Sequence, residues 1–308
     1  MFKPDFLVPV HDFSQRSLDF SKRIAVMAVI NRTPDSFYDA GSTFGLDDAV
    51  AAAMRAVEAG ADWVDIGGVP FSPGPELPWQ EEAERIVPVI RQVRQRSSAI
   101  ISADTFHPQV AQAAIDAGAD VINDTTGFSY PELAQVVAKN DVHVVITHSL
   151  AKPRTVYPRP HYDDVVAEIR QYLVEKVQVA LDAGVSPAKI IVDPGHDLNK
   201  NTRHTLDLTA GFQAFADLGY PALAAVSNKD FIGETLNLPK GERMVGSMVA
   251  ATICAMNGAR ILRMHNIPES VQTVRLLEAA QGWREPAYQI HNMGDVNPPA
   301  HPEREASQ

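Results

Sequence analysis

Eight short apolar runs recur at fairly even spacing, and this repeat constrains the fold more than any other feature of the chain. They read RIAVMAVIN (23–31), DWVDIGG (62–68), AIISADT (99–105), DVINDTT (120–126), VHVVITH (142–148), KIIVDPG (189–195), ALAAVSN (222–228) and ILRMHN (261–266). Each is too short for a helix and rich in small or branched apolar residues, the pattern of strands buried on both faces of a parallel sheet. Stretches such as LDDAVAAAMRAVEAG and HPQVAQAAIDAGAD lie between them, with apolar residues three and four apart, as on the buried face of a helix. Four helix ends also repeat, at EAGADWV, DAGADVI, DAGVSPAKII and MNGARIL, where glycine supplies the left-handed conformation just past the last turn. Eight strand–helix units close a barrel, and no glycine-rich dinucleotide fingerprint follows the first run. The expectation is an α/β protein with one domain, a (β/α)8 TIM barrel over residues 23–285. Residues 1–22 form a lead-in that covers or enters the bottom of the barrel, and 286–308, rich in Pro and charge, read as a mobile tail.

Composition narrows the class of function. At 308 residues, 45% hydrophobic and 21% charged, the chain has ample material for a core. Its formal charge of −11 disfavours a broad electrostatic grip on nucleic acid or an anionic membrane, although a small phosphate site remains compatible with it. No run approaches the ~18–20 apolar residues of a membrane span, and the first ten residues lack the apolar core of a secretory signal. The single cysteine, Cys254, in an alanine-rich helical context, reads as a core thiol, which leaves no disulfide framework and fits a cytoplasmic protein.

In such barrels the functional groups gather at the carboxyl ends of the strands. The runs end on Asn31; Asp65; Asp104; Asn123 and Asp124; His148; Asp193; Ser227, Asn228 and Lys229; and Arg263, His265 and Asn266. Any one of the Asp, Asn or Ser residues would serve equally as a cap or turn former. Lys229 and Arg263 cannot cap a helix N-terminus, and the whole series falls in register. Arg263 and His265 alternate on one strand and so share a face, which suits an anionic ligand such as a phosphate; a salt bridge to a neighbouring Asp is the alternative for Arg263. Asn31, next door to the last strand in a closed barrel, offers an amide oxygen to Mg²⁺. Asp104, Asn123, Asp193 and Lys229 supply acceptors and donors for a flat heterocycle with a guanidine-like edge, with a second metal site the competing use.

Taken together these motifs resemble the dihydropteroate synthase family, from about Ile24 to Ala280. NRTPDSFYDAG is similar to the family's first signature, and SADTF, VINDTTG, VDPG, SNK and RMHN follow in the family's order. The resemblance implies a TIM barrel, usually a homodimer, of the folate pathway. It would join 6-hydroxymethyl-7,8-dihydropterin diphosphate to p-aminobenzoate, with Mg²⁺ and release of pyrophosphate. Carried over by position, Asp104, Asn123, Asp193 and Lys229 match the pterin-binding set, and Arg263 and His265 the diphosphate set. Asn31 matches the metal position and Ser227 a contact to p-aminobenzoate. Asp35, in the first loop, and Lys229 match the catalytic positions. Implied ligands are a pterin-type small molecule and p-aminobenzoate or sulfone- and sulfonamide-like aryl amines.

Departures from the family concentrate on the second substrate. Where the family has Gly-Gly-Glu-Ser-Thr-Arg-Pro-Gly, this chain has Gly67, Gly68, Val69, Pro70, Phe71, Ser72, Pro73 and Gly74, so Ser-Thr-Arg has become Pro70-Phe71-Ser72. Replacing Arg by Ser removes a fixed charge and up to five donors. The family's Ser-Arg-Lys is Ser227-Asn228-Lys229, its Met-His is Thr147-His148, its Gly-Phe-Gly-Lys stretch is His196-Asp197-Leu198-Asn199-Lys200, and its final His-Asp is His265-Asn266. Arg32 stands where a small apolar residue is usual. The leading expectation is therefore a divergent paralogue, weak or inactive in the standard reaction, that keeps pterin or diphosphate binding. Two alternatives stay open: an active synthase whose Phe71 and Arg32 rebuild the loops, and a non-catalytic barrel that binds a ligand or a partner. The TPDSF loop argues against a methyltetrahydrofolate-binding methyltransferase barrel.

Overall fold

The computed structural model describes residues 1–32, 45–70, 73–156 and 159–292. A hairpin of β1 (Val10–Asp12) and β2 (Ser17–Asp19) comes first, followed by β3 (Ala25–Asn31), α1 (Leu46–Glu58), β4 (Trp63–Gly67), α2 (Trp79–Arg96), β5 (Ile100–Asp104) and α3 (Pro108–Asp116). Next come β6 (Val121–Asp124), α4 (Glu132–Asn140), β7 (His143–Thr147), α5 (Val165–Asp182) and β8 (Ile190–Asp193). The chain continues through α6 (Thr202–Ala210), α7 (Gln213–Ala216), β9 (Leu223–Ala224), α8 (Asp230–Leu236), α9 (Met244–Met256), β10 (Ile261–Met264) and α10 (Ile267–Ala280).

All eight apolar runs are strands, β3 to β10, in one parallel sheet ordered β8-β7-β6-β5-β4-β3-β10-β9. The ring closes between its ends by a bridge from Val192 to Ala222, with Val192 N–H donating to the Pro221 carbonyl at 3.0 Å. The fold is the expected (β/α)8 barrel. Its four repeated glycines, Gly60, Gly118, Gly184 and Gly258, take φ of +100°, +108°, +94° and +106°, so each ends its helix as the sequence implies.

Alternation along the strands divides the core. Val26, Ile101, Ile122, Val144 and Leu262 face the helices, whereas Met27, Trp63, Ile100, Val121, Val145, Ile191, Leu223 and Ile261 point into the barrel at its amino-terminal end. Phe13, Leu18 and Phe20 of the leading hairpin pack onto that inner set, so the segment before Arg23 plugs the bottom of the barrel. Each such side chain contributes about 1.5–3 kcal/mol by leaving water. Ser14 N–H donates to Asp120 at 3.2 Å, fixing the hairpin's angle. With the bottom filled, the open space lies at the carboxyl ends.

Cys254 is buried on α9, as a core thiol should be. Among the described residues no helix is long and apolar enough to cross a membrane. Asp35, Phe71, Ser72 and most of the expected tail (293–308) lie outside the described residues.

Candidate active site

Strand register sets the floor of the site. Asn31 pairs with Gly67, Gly67 with Asp104 and Asp104 with Asn123, so three polar side chains reach one level around the rim. A Cβ at Gly67 would sit 3.4 Å from the Asp104 Cβ and 3.5 Å from the Asn31 amide oxygen, so glycine there gives both neighbours their room. Above this floor opens a cavity of about 360 Å³.

Arg263 occupies the centre. Its Nε donates to Asp65 Oδ2 at 2.7 Å and its Nη2 to Asp104 Oδ2 at 3.2 Å, so the ion pair weighed as an alternative to phosphate is formed, and to two carboxylates. Asp65 lies wholly buried below, also accepting from Asn123 Nδ2 at 3.1 Å and from Ser102 Oγ, which itself accepts from Trp63 Nε1 at 2.8 Å. The Asn123 amide is thereby oriented: its nitrogen is spent downward, and its buried Oδ1 has no protein partner. Burial, then the charge of Asp65, pushes the Asp104 carboxyl up to about 7, with Arg263 opposing.

On the opposite wall Asp193 Oδ1 accepts from Gly195 N–H at 2.7 Å in the turn that Pro194 and Gly195 create. Burial raises its pKa, opposed by Gly195, Lys229 and Lys200. Burial likewise lowers the pKa of Lys229, whose ammonium donates to the His196 carbonyl. Lys200 is buried and donates to the Gly195 and Leu198 carbonyls, both at 2.8 Å, and meets His148 Nδ1 at 3.0 Å. It pins the loop after β8 from behind. Burial and the Lys200 charge bring His148 down to about 2, so it stands as a neutral acceptor.

The remaining wall is of a different character. Val69, Pro70, Phe106 and Pro153 line it, beside Ser227, Asn228, Asp197, Leu198 and Asp230. Ser227 Oγ accepts from His265 N–H at 3.2 Å, tying β10's end to the loop after β9. Asp197 Oδ2 accepts from Asp230 N–H at 2.8 Å and Phe231 N–H at 3.4 Å. The loop after β7 crosses the mouth as a strap: Leu150 N–H donates to Asn199 Oδ1 at 2.7 Å, Lys152 sits 3.8 Å over the Tyr130 ring, and Arg154 Nε donates to the Pro75 carbonyl at 3.1 Å. The Arg154 carbonyl in turn accepts from Gly74 N–H at 3.1 Å.

The cavity thus gathers Asn31, Asp104, Asn123 and Asp193 with Ser227, Lys229, Arg263 and His265, eight of the nine residues singled out from sequence. The ninth, Asp35, lies outside the described residues. Four of the other strand-end residues, Asp65, Asp124, His148 and Asn266, do not line the cavity. Asp124 points the opposite way from Asn123 and closes a turn on Thr126 N–H (2.8 Å) and Phe128 N–H (2.6 Å); His148 stands behind Lys200. Asp65, Asp197 and the Arg154 strap carry structural weight that the sequence reading did not give them. For Asp65 the signal existed: two residues after Trp63 and two before Gly67, it must face inward. Arg32 donates to the Glu84 (3.1 Å) and Arg85 (2.5 Å) carbonyls of α2.

The family model described as "Pterin binding enzyme" matches residues 27–265. The chain belongs to the dihydropteroate synthase family. Dihydropteroate synthase of Escherichia coli (strain K12) is 37% identical over 270 residues, 87% of this chain and 95% of that protein. A Mycobacterium leprae (strain TN) relative named inactive dihydropteroate synthase 2 is 38% identical over 277 residues, 88% of this chain and 95% of its own. The structure of Xanthomonas albilineans dihydropteroate synthase with 4-aminobenzoic acid superposes with a TM-score of 0.82 at 37% identity, covering 89% of this chain and 98% of that one. Relatives named dihydropteroate synthase and inactive dihydropteroate synthase 2 therefore match at nearly equal identity, 37% and 38%.

Proposed function

We propose that the chain is a dihydropteroate synthase-like protein that binds a pterin with its diphosphate and has weak or no synthase activity toward p-aminobenzoate. The observation that supports this best is the asymmetry of the cavity. Its heterocycle half, with Asp104, Asn123 and Asp193 around Arg263 and Lys229, is a closed hydrogen-bonding network with one buried acceptor, Asn123 Oδ1, turned to the ligand. Its other half has Val69 and Pro70 where the family places Glu and Ser, and Phe71 and Ser72 follow in place of Thr and Arg. A transferase must fix two partners and a leaving group together, and a misplacement of about 1 Å can cost ~100-fold in rate.

In this reading Asp104 and Asp193 accept from the pterin's ring N–H and amino groups, and Lys229 and Asn123 hold its carbonyl and ring nitrogens. Arg263 and His265 receive the diphosphate. Among the described residues no group of three or more His, Cys, Asp or Glu side chains could cage a metal by itself. Asn31 on the rim would offer its amide oxygen to a Mg²⁺. That ion would supply charge neutralisation of the leaving group. Asp35 would act from the first loop.

We also propose a homodimer through α9. Val245, Val249 and Ile253 recur every four residues and are 69%, 54% and 40% exposed, one apolar stripe facing outward. Sedimentation at micromolar concentration should give twice the chain mass, and Val249→Glu the chain mass.

An active synthase is the second reading, favoured by the 37% identity to the E. coli synthase across most of both chains. A coupled assay with pterin diphosphate and radiolabelled p-aminobenzoate, beside calorimetry with the pterin alone, separates the two. Pterin binding with poor turnover supports the leading reading; turnover at a normal synthase's rate selects the second. Neither binding nor turnover would point to the non-catalytic barrel. Substituting Val69→Glu, Pro70→Ser, Phe71→Thr and Ser72→Arg together should raise turnover if that loop is responsible.

A further inference from the structure

Resting on the reading of this cavity as a pterin site, we infer that Asp65 is a positioning residue for ligand specificity. Wholly buried beneath the cavity, it sets which end of the Asn123 amide faces the ligand, and so makes the site select a ring N–H at that edge.

The inference follows a chain of hydrogen bonds whose directions are forced. It starts inside the barrel at Trp63, whose indole N–H can only donate, and does so to Ser102 Oγ at 2.8 Å. Trp63, Ser102 and Asp65 are fully buried, so the Ser102 hydroxyl places its own hydrogen on a protein acceptor, Asp65 Oδ1. Asp65 Oδ2 receives the Arg263 Nε–H at 2.7 Å, and a guanidinium offers no acceptor in return. With both oxygens receiving, Asp65 is a carboxylate, and any further group that approaches Oδ2 must donate. Asn123 approaches it at 3.1 Å and therefore presents Nδ2. The two ends of a carboxamide are nearly identical in shape, so it is the carboxylate below that decides which one is turned up. Asn123 lines the cavity, and among the described residues its buried Oδ1 has no hydrogen-bond partner. An acceptor so placed favours a ligand that donates to it and penalises one that brings a second lone pair.

That requirement divides two oxidation states of one ring system. A 7,8-dihydropterin carries N–H at position 8, where the oxidised pterin carries a lone pair, and both keep the same amino-oxo pyrimidine edge. Asp65 touches neither ring; it acts through Asn123, and by sharing one oxygen between Asn123 and Arg263 it ties that orientation to the placement of the guanidinium.

Anaerobic calorimetry on the full chain with 6-hydroxymethyl-7,8-dihydropterin and with 6-hydroxymethylpterin tests this. The wild type should bind the dihydropterin at least about tenfold tighter, the cost of facing a buried acceptor with a lone pair. Asp65→Ala frees the Asn123 amide to turn either end to the ligand, so the ratio should fall towards one. Asp65→Asn should keep the preference, because its amide oxygen can stand where Oδ2 stood and its amide nitrogen can donate to Ser102 Oγ. A purely structural Asp65 would weaken both ligands alike, so an unchanged ratio in Asp65→Ala overturns the inference, as does equal binding of the two pterins by the wild type. If Asp65→Ala does not fold, the wild type still decides. The Asn123 side-chain NH₂ resonances, assigned by their absence from Asn123→Ala, should exchange slowly with solvent both before and after dihydropterin is added; exchange at the rate of an exposed amide overturns the inference. Failure of the wild type to bind either pterin is the result that instead overturns the reading of the cavity as a pterin site.

Discussion

Arg263 is held by two carboxylates of unequal standing. Asp65 is wholly buried and accepts from three side chains at once, those of Arg263, Asn123 and Ser102, so Asp65→Ala strands three donors. Breaking a buried pair from one side costs about 3–5 kcal/mol. Chemical denaturation should show a loss of that size, and an unchanged midpoint would contradict the role given to Asp65. Asp104, at the edge of the cavity, is raised to about 7 by burial and by Asp65. Because the folded state keeps a proton that the unfolded chain loses near 3.8, this group's stabilisation is complete below 3.8 and disappears as pH rises through about 7. Between those values wild-type stability should decline relative to Asp104→Asn, and a carboxyl ¹³C resonance absent from that variant should titrate near 7; parallel stability profiles would contradict it. Asp104 was legible in the sequence because it ends an apolar run. Asp65 ends one too, but its work depends on the register that sets Asn123 and Arg263 over it, and register is a property of the assembled sheet.

The leading hairpin behaves as a plug with a built-in acid limit. His11 packs edge-on to Phe20 at 5.2 Å between ring centroids, and Phe13 stacks on His143 at 4.1 Å. Burial brings His11 down to about 4, with Lys189 adding to it and Asp12 opposing, and brings His143 to about 2. The unfolded chain takes up a proton on each near pH 6.5, so the stability these groups contribute is full above 6.5 and is lost as pH falls, for His11 through about 4. His11→Phe should flatten the decline between pH 6.5 and 4 in thermal or denaturant unfolding; an unaltered slope would place the acid sensitivity elsewhere. Elements were readable from period and length alone, since all eight runs are strands and the four glycines end helices. The shortest strand, β9, has only two residues, and Ala222 just before it closes the ring as a lone bridge to Val192. The strap from Leu150 to Arg154 was not readable, for its order comes from partners 49 to 80 positions away or from the Tyr130 ring, and local sequence encodes none of these.

At the scale of the whole molecule, a barrel closed below by its hairpin leaves the upper rim as the place for chemistry, and the rim is divided. The half proposed to hold the pterin rests on strand ends, whose positions the sheet fixes; the second half rests on the loops after β4, β7 and β8, which can change without disturbing the barrel. This is why the family and most of the site could be read from sequence while the level of activity could not. The most direct measurement is steady-state turnover of pterin diphosphate with p-aminobenzoate, normalised to the fraction of chains that bind pterin by calorimetry. The account predicts stoichiometric pterin binding with turnover at least about 100-fold below that of a normal synthase, the cost of a misplaced partner. Turnover at a normal synthase's rate by the pterin-binding fraction would contradict it.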